Sequence, residues 1–151
     1  MIHVRLYQPT DQVFILSLAP RLAIGMPAWR DPRRWAATVQ KWLTESIEQH
    51  GQKTMVFVAE DEQGTRLGFA TVTHDTHFTG EPQAYIGELA TSAAAEGRGV
   101  GKALLAACEQ WARDQGYQLL ALATGAANEH ALGFYRHLGY LAEDIKLVKR
   151  L

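Results

Sequence analysis

Residues 84–116 read AYIGELAT, SAAA, EGRGVG and KALLAACEQWARDQG, and no other stretch restricts the fold of this chain so tightly. A strand-like run enters three alternating glycines, Gly97, Gly99 and Gly101, and leaves as a segment with apolar residues at helical spacing. Strand, glycine loop and helix together gather free backbone N–H groups at the positive end of a helix, where an anion is stabilised. Glycine lets the backbone approach that anion with no Cβ in the way. A plain flexible connection has no use for glycine at every second position directly before a helix. The expectation is a phosphate site on this loop.

The rest of the chain supplies the frame. Residues 2–7 alternate like a half-buried strand, and Pro9, Thr10 and Asp11 break it and offer a cap for a helix at 11–22. Asp31-Pro32 opens a second helix, on which Trp35, Val39, Trp42, Leu43, Ser46 and Ile47 are expected to share one face until Gly51 stops it. Residues 54–60 and 66–74 read as two strands joined by the turn at Asp61 to Gly64, and residues 84–91 as a further strand. A helix to about Gln115, a strand at 118–124 and a helix capped by Asn128 follow, and the tail LAEDIKLVKRL reads as one or two closing strands. The order βααβββαβαβ predicts one α/β domain over residues 1–151.

The spacing of the glycines separates three phosphate loops. A P-loop requires G-x-x-x-x-G-K-[ST], but Glu96 stands at its first glycine and Ala103 at its hydroxyl. A dinucleotide fingerprint requires G-x-G-x-x-G, and its third glycine falls on Lys102 or on Leu104. What remains is [QR]-x-x-G-x-[GA], the pyrophosphate loop of the GNAT superfamily of N-acetyltransferases, which Glu96 to Gly101 resembles. Asn128 to Tyr140, NEHALGFYRHLGY, resembles that family's N-x-x-A-x-x-F-Y-x-x-x-G-[FY]. The departures are Glu96 for the usual Gln or Arg, with Ala93 and Ala95 where Pro and an aromatic are common. A negative charge at the mouth of an anion site is tolerated if Glu96 turns outward.

The resemblance implies a mixed, mostly antiparallel sheet flanked by helices, with a splayed parallel strand pair holding acetyl-CoA. It implies direct attack of an amine on the thioester, which requires a bound cofactor, a proton acceptor and an acid for the departing thiolate. Backbone groups of Leu89, Ala90 and Thr91 would meet the pantetheine arm and thioester. Gly97, Arg98, Gly99, Val100, Gly101 and Lys102 would take the diphosphate, and Asn128 and Phe134 would line the arm. Tyr135 is the candidate acid beside the leaving sulfur, and otherwise a core aromatic. Glu88, a carboxylate within the apolar YIGELA, is the candidate base. Burial would lift its pKa toward neutrality and suit it to that role.

Other conspicuous residues have plainer explanations. His74 and His77 lack a third ligand, so no metal is expected. His130 and His137 are expected to face solvent, and Cys108, between Leu104 and Trp111, to lie in the core. Trp29, in a loop, is the aromatic best placed to line an acceptor pocket. A single cysteine excludes an internal disulfide and points to a reducing cytoplasm, and no signal peptide is evident at the start. A net charge of -1 provides no bulk attraction for nucleic acid or an anionic membrane. The expected acceptor is a small-molecule amine. A protein lysine or N-terminus, or a non-catalytic acyl-CoA-binding role, are the alternatives, and a homodimer is possible.

Overall fold

The computed structural model describes residues 1–151. Five strands form one sheet in the order β1-β2-β3-β4-β5: β1 (His3–Leu6), β2 (Thr54–Glu60), β3 (Arg66–Thr76), β4 (Pro82–Thr91) and β5 (Leu120–Leu122). The first four are antiparallel in sequence, and β5 joins β4 in parallel. The only parallel pair thus follows the glycine loop and its helix, the long crossover that parallel strands require.

Helices cover both faces. Helix α1 (Gln12–Ser17) and helix α2 (Pro32–Glu48) pack on one side, where Ile15, Val39 and Leu43 meet Val56, Val58, Phe69 and Ala90. Helix α3 (Val100–Asp114) and helix α4 (Glu129–His137) cover the other, where Leu104, Leu105 and Cys108 meet Ala70, Val72 and Ile86. Period-two alternation along the strands separates these two apolar sets, as a sheet buried on both faces requires. Asp31 caps α2 by accepting from the Arg33 and Arg34 amides at 2.9 and 3.4 Å, with Pro32 in the first turn. No helix is long and apolar enough to cross a membrane.

Four expectations need correction. The tail 141–151 forms no strand, and Leu141, Ile145 and Leu147 are exposed. The edge strand β5 is three residues long rather than the seven of 118–124, and so short an edge offers few hydrogen bonds to a further strand. On α2, Val39 and Leu43 are buried but Trp42 is 56% exposed, being one residue, and so about 100° of helix, away from Leu43. Asp11 precedes α1 without a side-chain cap bond. Its carboxylate instead accepts from Arg5 of β1 and Arg66 of β3, a demand from two guanidinium groups that outcompetes a helix start.

Candidate functional site

Strands β4 and β5 pair over only three residues, Ala84, Ile86 and Tyr85 facing Leu120, Leu122 and Ala121. Beyond Ile86 the β4 strand runs on to Thr91 while β5 has ended, so the parallel pair opens into a gap. A bulge falls at the same place. Ala70 faces Leu89 but Val72 faces Ile86, which leaves Gly87 and Glu88 both opposite Thr71. Bulges bend a strand and re-aim its side chains. The amide of Ser92 donates to the Leu67 carbonyl across the ladder. By alternation Ala90 also turns its peptide groups to β3, and Leu89 and Thr91 turn theirs to the open edge.

The glycine loop continues from that edge. A short 3-10 turn at Ala93–Ala95 leads to Gly97 and Gly99, whose φ angles are 75° and 82°. Gly99 is the left-handed residue that starts α3, where glycine avoids the Cβ penalty. The first amide of the loop region to find a backbone acceptor in the helix is that of Ala103, on the Gly99 carbonyl at 3.1 Å. The amides of Arg98 to Lys102 have none, and Arg98 and Lys102 are exposed cations beside them. A helix start with a nest of free amides is an arrangement suited to an anion.

Phe134 closes one side of it. A Cβ on Gly101 would lie 3.2 Å from the Phe134 ring and 3.9 Å from Leu89, so glycine here makes room for the aromatic. The Asn128 side chain caps α4 by accepting from the Ala131 amide at 3.1 Å. Tyr135 follows Phe134 at a ring separation of 5.3 Å and packs against the α3 side of the core. Burial raises its hydroxyl pKa, and nearby Cys108 adds to the rise, so the group stays a neutral O–H donor.

Glu88 lies on the opposite face. It is 8% exposed and accepts from Ser46 of α2 at 3.0 Å and from the Thr71 hydroxyl, while its own amide donates to Thr71 at 3.0 Å. Burial raises its pKa, the Thr71 and Ser46 hydroxyls pull it part of the way back, and Glu45 adds to the rise. The structure therefore gathers Leu89, Gly101 and Phe134 at one mouth of the gap and sets Glu88 on the α2 side. Ser46 and Thr71 as partners of Glu88 were not foreseen, because cross-strand and helix-to-sheet pairing leave no mark in sequence spacing.

The remaining residues fall where packing puts them. Cys108 is fully buried and its thiol pKa is pushed up to about 12 by burial, which makes it inert. His74 bonds the Tyr117 hydroxyl, and His77 lies 3.7 Å from Glu143. His130 and His137 are exposed, and Trp29 is half exposed in the loop before α2.

Known proteins share the fold. A curated N-acetyltransferase of Methanocaldococcus jannaschii, itself uncharacterized, is 27% identical over 126 residues, covering 79% of this chain and 53% of that protein. The chain thus spans about half the length of that relative. Among solved structures, one from Pyrococcus furiosus named as an acetyl transferase superposes with a TM-score of 0.79 at 22% identity, covering 100% of both chains. The aminoglycoside N-acetyltransferase AAC(6')-Iy in complex with CoA superposes with a TM-score of 0.74 at 20% identity, covering 100% of this chain and 95% of the other. The acetyltransferase (GNAT) family pattern matches residues 15–140, from α1 through the end of α4, and the chain belongs to that family.

Proposed function

We propose that this protein transfers an acetyl group from acetyl-CoA to the amine of a small molecule, by direct attack within a ternary complex. The observation that carries the reading is the row of unpartnered amides from Arg98 to Lys102, directly beyond the gap between β4 and β5. A diphosphate suits that cradle, with Gly97, Gly99 and Val100 shaping it and Arg98 and Lys102 adding charge. The open-edge peptide groups of Leu89 and the Thr91 amide, with Ala90 between them, suit a pantetheine arm running like an added strand. Phe134 and Asn128 flank its path. When bound, the cofactor supplies the activated acyl group. The likeness to an aminoglycoside acetyltransferase is compatible with a small-molecule acceptor.

In this reading Glu88 accepts the ammonium proton, directly or through water, from the α2 face, and Tyr135 donates its hydroxyl proton to the departing sulfur on the α3 face. The gap is the passage joining the two. Incubation with acetyl-CoA and a panel of amines, peptides and aminoglycosides, followed by thiol release, tests the assignment. No thiol release with any acceptor in the panel, while acetyl-CoA still binds, would favour the non-catalytic alternative.

Two variants test the roles. Tyr135→Phe is expected to lower turnover about a hundredfold or more, the range of general acid catalysis, with acetyl-CoA affinity nearly intact; a wild-type rate removes Tyr135 as the acid. Glu88 holds a raised pKa, so as pH falls through that value the base is protonated and kcat/KM declines. That acid limb should lie above the ordinary carboxylate value of about 4.3. Glu88→Gln should lower the rate and flatten the limb, and an unchanged pH profile would exclude Glu88 as the base.

A further inference from the structure

Glu96 stands at the entrance of the diphosphate loop, where a carboxylate repels the ligand the loop is shaped for. The structure shows where that charge goes. Arg21 lies on the 3-10 turn Ala19–Ala23 between α1 and α2, far away in sequence. Its Nη2 meets the Glu96 carboxylate, and its Nε donates to the Thr91 carbonyl at 3.1 Å. One guanidinium therefore spans the open-edge end of β4 and the first residue of the loop. Its side chain is 26% exposed, against 59% for Glu96, so the arginine is the better held of the two.

The segment that carries Arg21 is anchored again a few residues later. Gly25, at a φ of 85°, lies so close to Asn128 that a Cβ on it would approach the Asn128 Cβ to 2.6 Å. A Cβ on Gly125 would likewise come within 2.9 Å of the Gly25 carbonyl. Residues 21–25 thus reach from the β4 side of the gap to the loop that follows β5. They form a strap across the place where the parallel strands part.

We infer that Arg21 is a positioning residue for the cofactor: it neutralises Glu96 beside the diphosphate loop and ties that loop to the strap over the gap. The inference rests on the acetyl-CoA reading above. It gives a physical account of the Glu96 departure, since the carboxylate is met by a guanidinium from the α1–α2 segment and its repulsion of the diphosphate is cancelled. Thr91 then offers its carbonyl to Arg21, which leaves the Leu89 carbonyl as the open-edge acceptor nearer the gap.

The test is a charge cycle read by acetyl-CoA titration, with Arg21→Ala, Glu96→Gln and the double variant. Arg21→Ala leaves Glu96 uncompensated and should weaken acetyl-CoA binding about tenfold, within the usual range of coupling between sites. Glu96→Gln frees the arginine's charge and should bind more tightly than wild type. The double variant should recover most of the affinity lost in Arg21→Ala, and Arg21→Lys should recover part. Acetyl-pantetheine, which lacks the nucleotide diphosphate, should bind the wild type and Glu96→Gln with equal affinity, and a gain in Glu96→Gln as large as that for acetyl-CoA overturns the diphosphate role of Glu96. A double variant as weak as Arg21→Ala, or an Arg21→Ala that binds like wild type, overturns the role of Arg21. Absence of acetyl-CoA binding by the wild-type protein overturns the cofactor reading itself and this inference with it.

Discussion

Gly101→Leu is expected to abolish acetyl-CoA binding, lowering affinity by at least about a hundredfold, or about 2.8 kcal/mol. The position is tight: the Cβ alone would come 3.2 Å from the Phe134 ring. Three further carbons would crowd that ring and Leu89 or project into the cradle mouth. Overpacking of this kind costs about 1–3 kcal/mol, and relief by turning Phe134 outward would open the side of the loop that this ring closes. Gly101 is half-buried at the edge of the core, so the fold should survive, as circular dichroism would verify. Titration with acetyl-CoA provides the measurement, and unchanged affinity in a folded variant would refute the diphosphate assignment. Gly97 and Gly99 differ in kind. Open space surrounds both, and what asks for glycine there is the positive φ.

Asp11→Ala is expected to cost about 3–5 kcal/mol of stability, the range for breaking a buried ion pair by removing one partner. The Asp11 side chain is fully buried between two arginines, with Arg5 at 2.8 Å and Arg66 at 2.6 Å, and it accepts the Gln8 amide at 2.8 Å. Burial by itself would raise this carboxyl, but the Arg5 and Arg66 bonds and the Gln8 amide outweigh it and hold the pKa well below the usual range. Removal leaves Arg66 without its carboxylate and Arg5 with only Glu60, at 2.9 Å. The sign of the pH dependence follows. A depressed carboxylate stabilises the fold above its unfolded pKa of about 3.9, and that contribution fades as pH falls through the folded value. Urea denaturation should show the midpoint of the variant lowered by at least about 1 M. Between pH 7 and pH 3 the wild type should lose more stability than the variant does, and equal losses would count against the pairing.

The two sites differ in how far they were legible beforehand. The glycine loop was readable because its determinants are local: positive φ at Gly97 and Gly99, a helix directly after, and amides left over at the helix start. Helix α2 was readable for the same reason, with Asp31 and Pro32 setting its start. Glu88 was recognisable as an odd carboxylate in an apolar strand, but its burial, its hydroxyl partners and its face of the sheet were not. Those depend on the bulge opposite Thr71 and on the docking of Ser46. Asp11 was read as a cap because local spacing suggests one, whereas two arginines from other strands claim it. The tail LAEDIKLVKRL suggests closing strands, yet a strand needs an edge to pair with.

Element order as far as α4, the helix start that faces the gap, and membership of the acetyltransferase family were thus settled by residues near one another in the chain. Backbone dihedral preference and hydrophobic period act over a few residues, and a sequence displays them directly. Tertiary structure alone decided that Arg21 meets Glu96 and Thr91, that Glu88 sits beneath α2, and that β5 stops where β4 continues. Each of these joins residues dozens of positions apart. Such a pairing is chosen by the geometry of the packed sheet and by the cost of leaving a buried charge or carbonyl without a partner, and neighbouring residues carry no record of it.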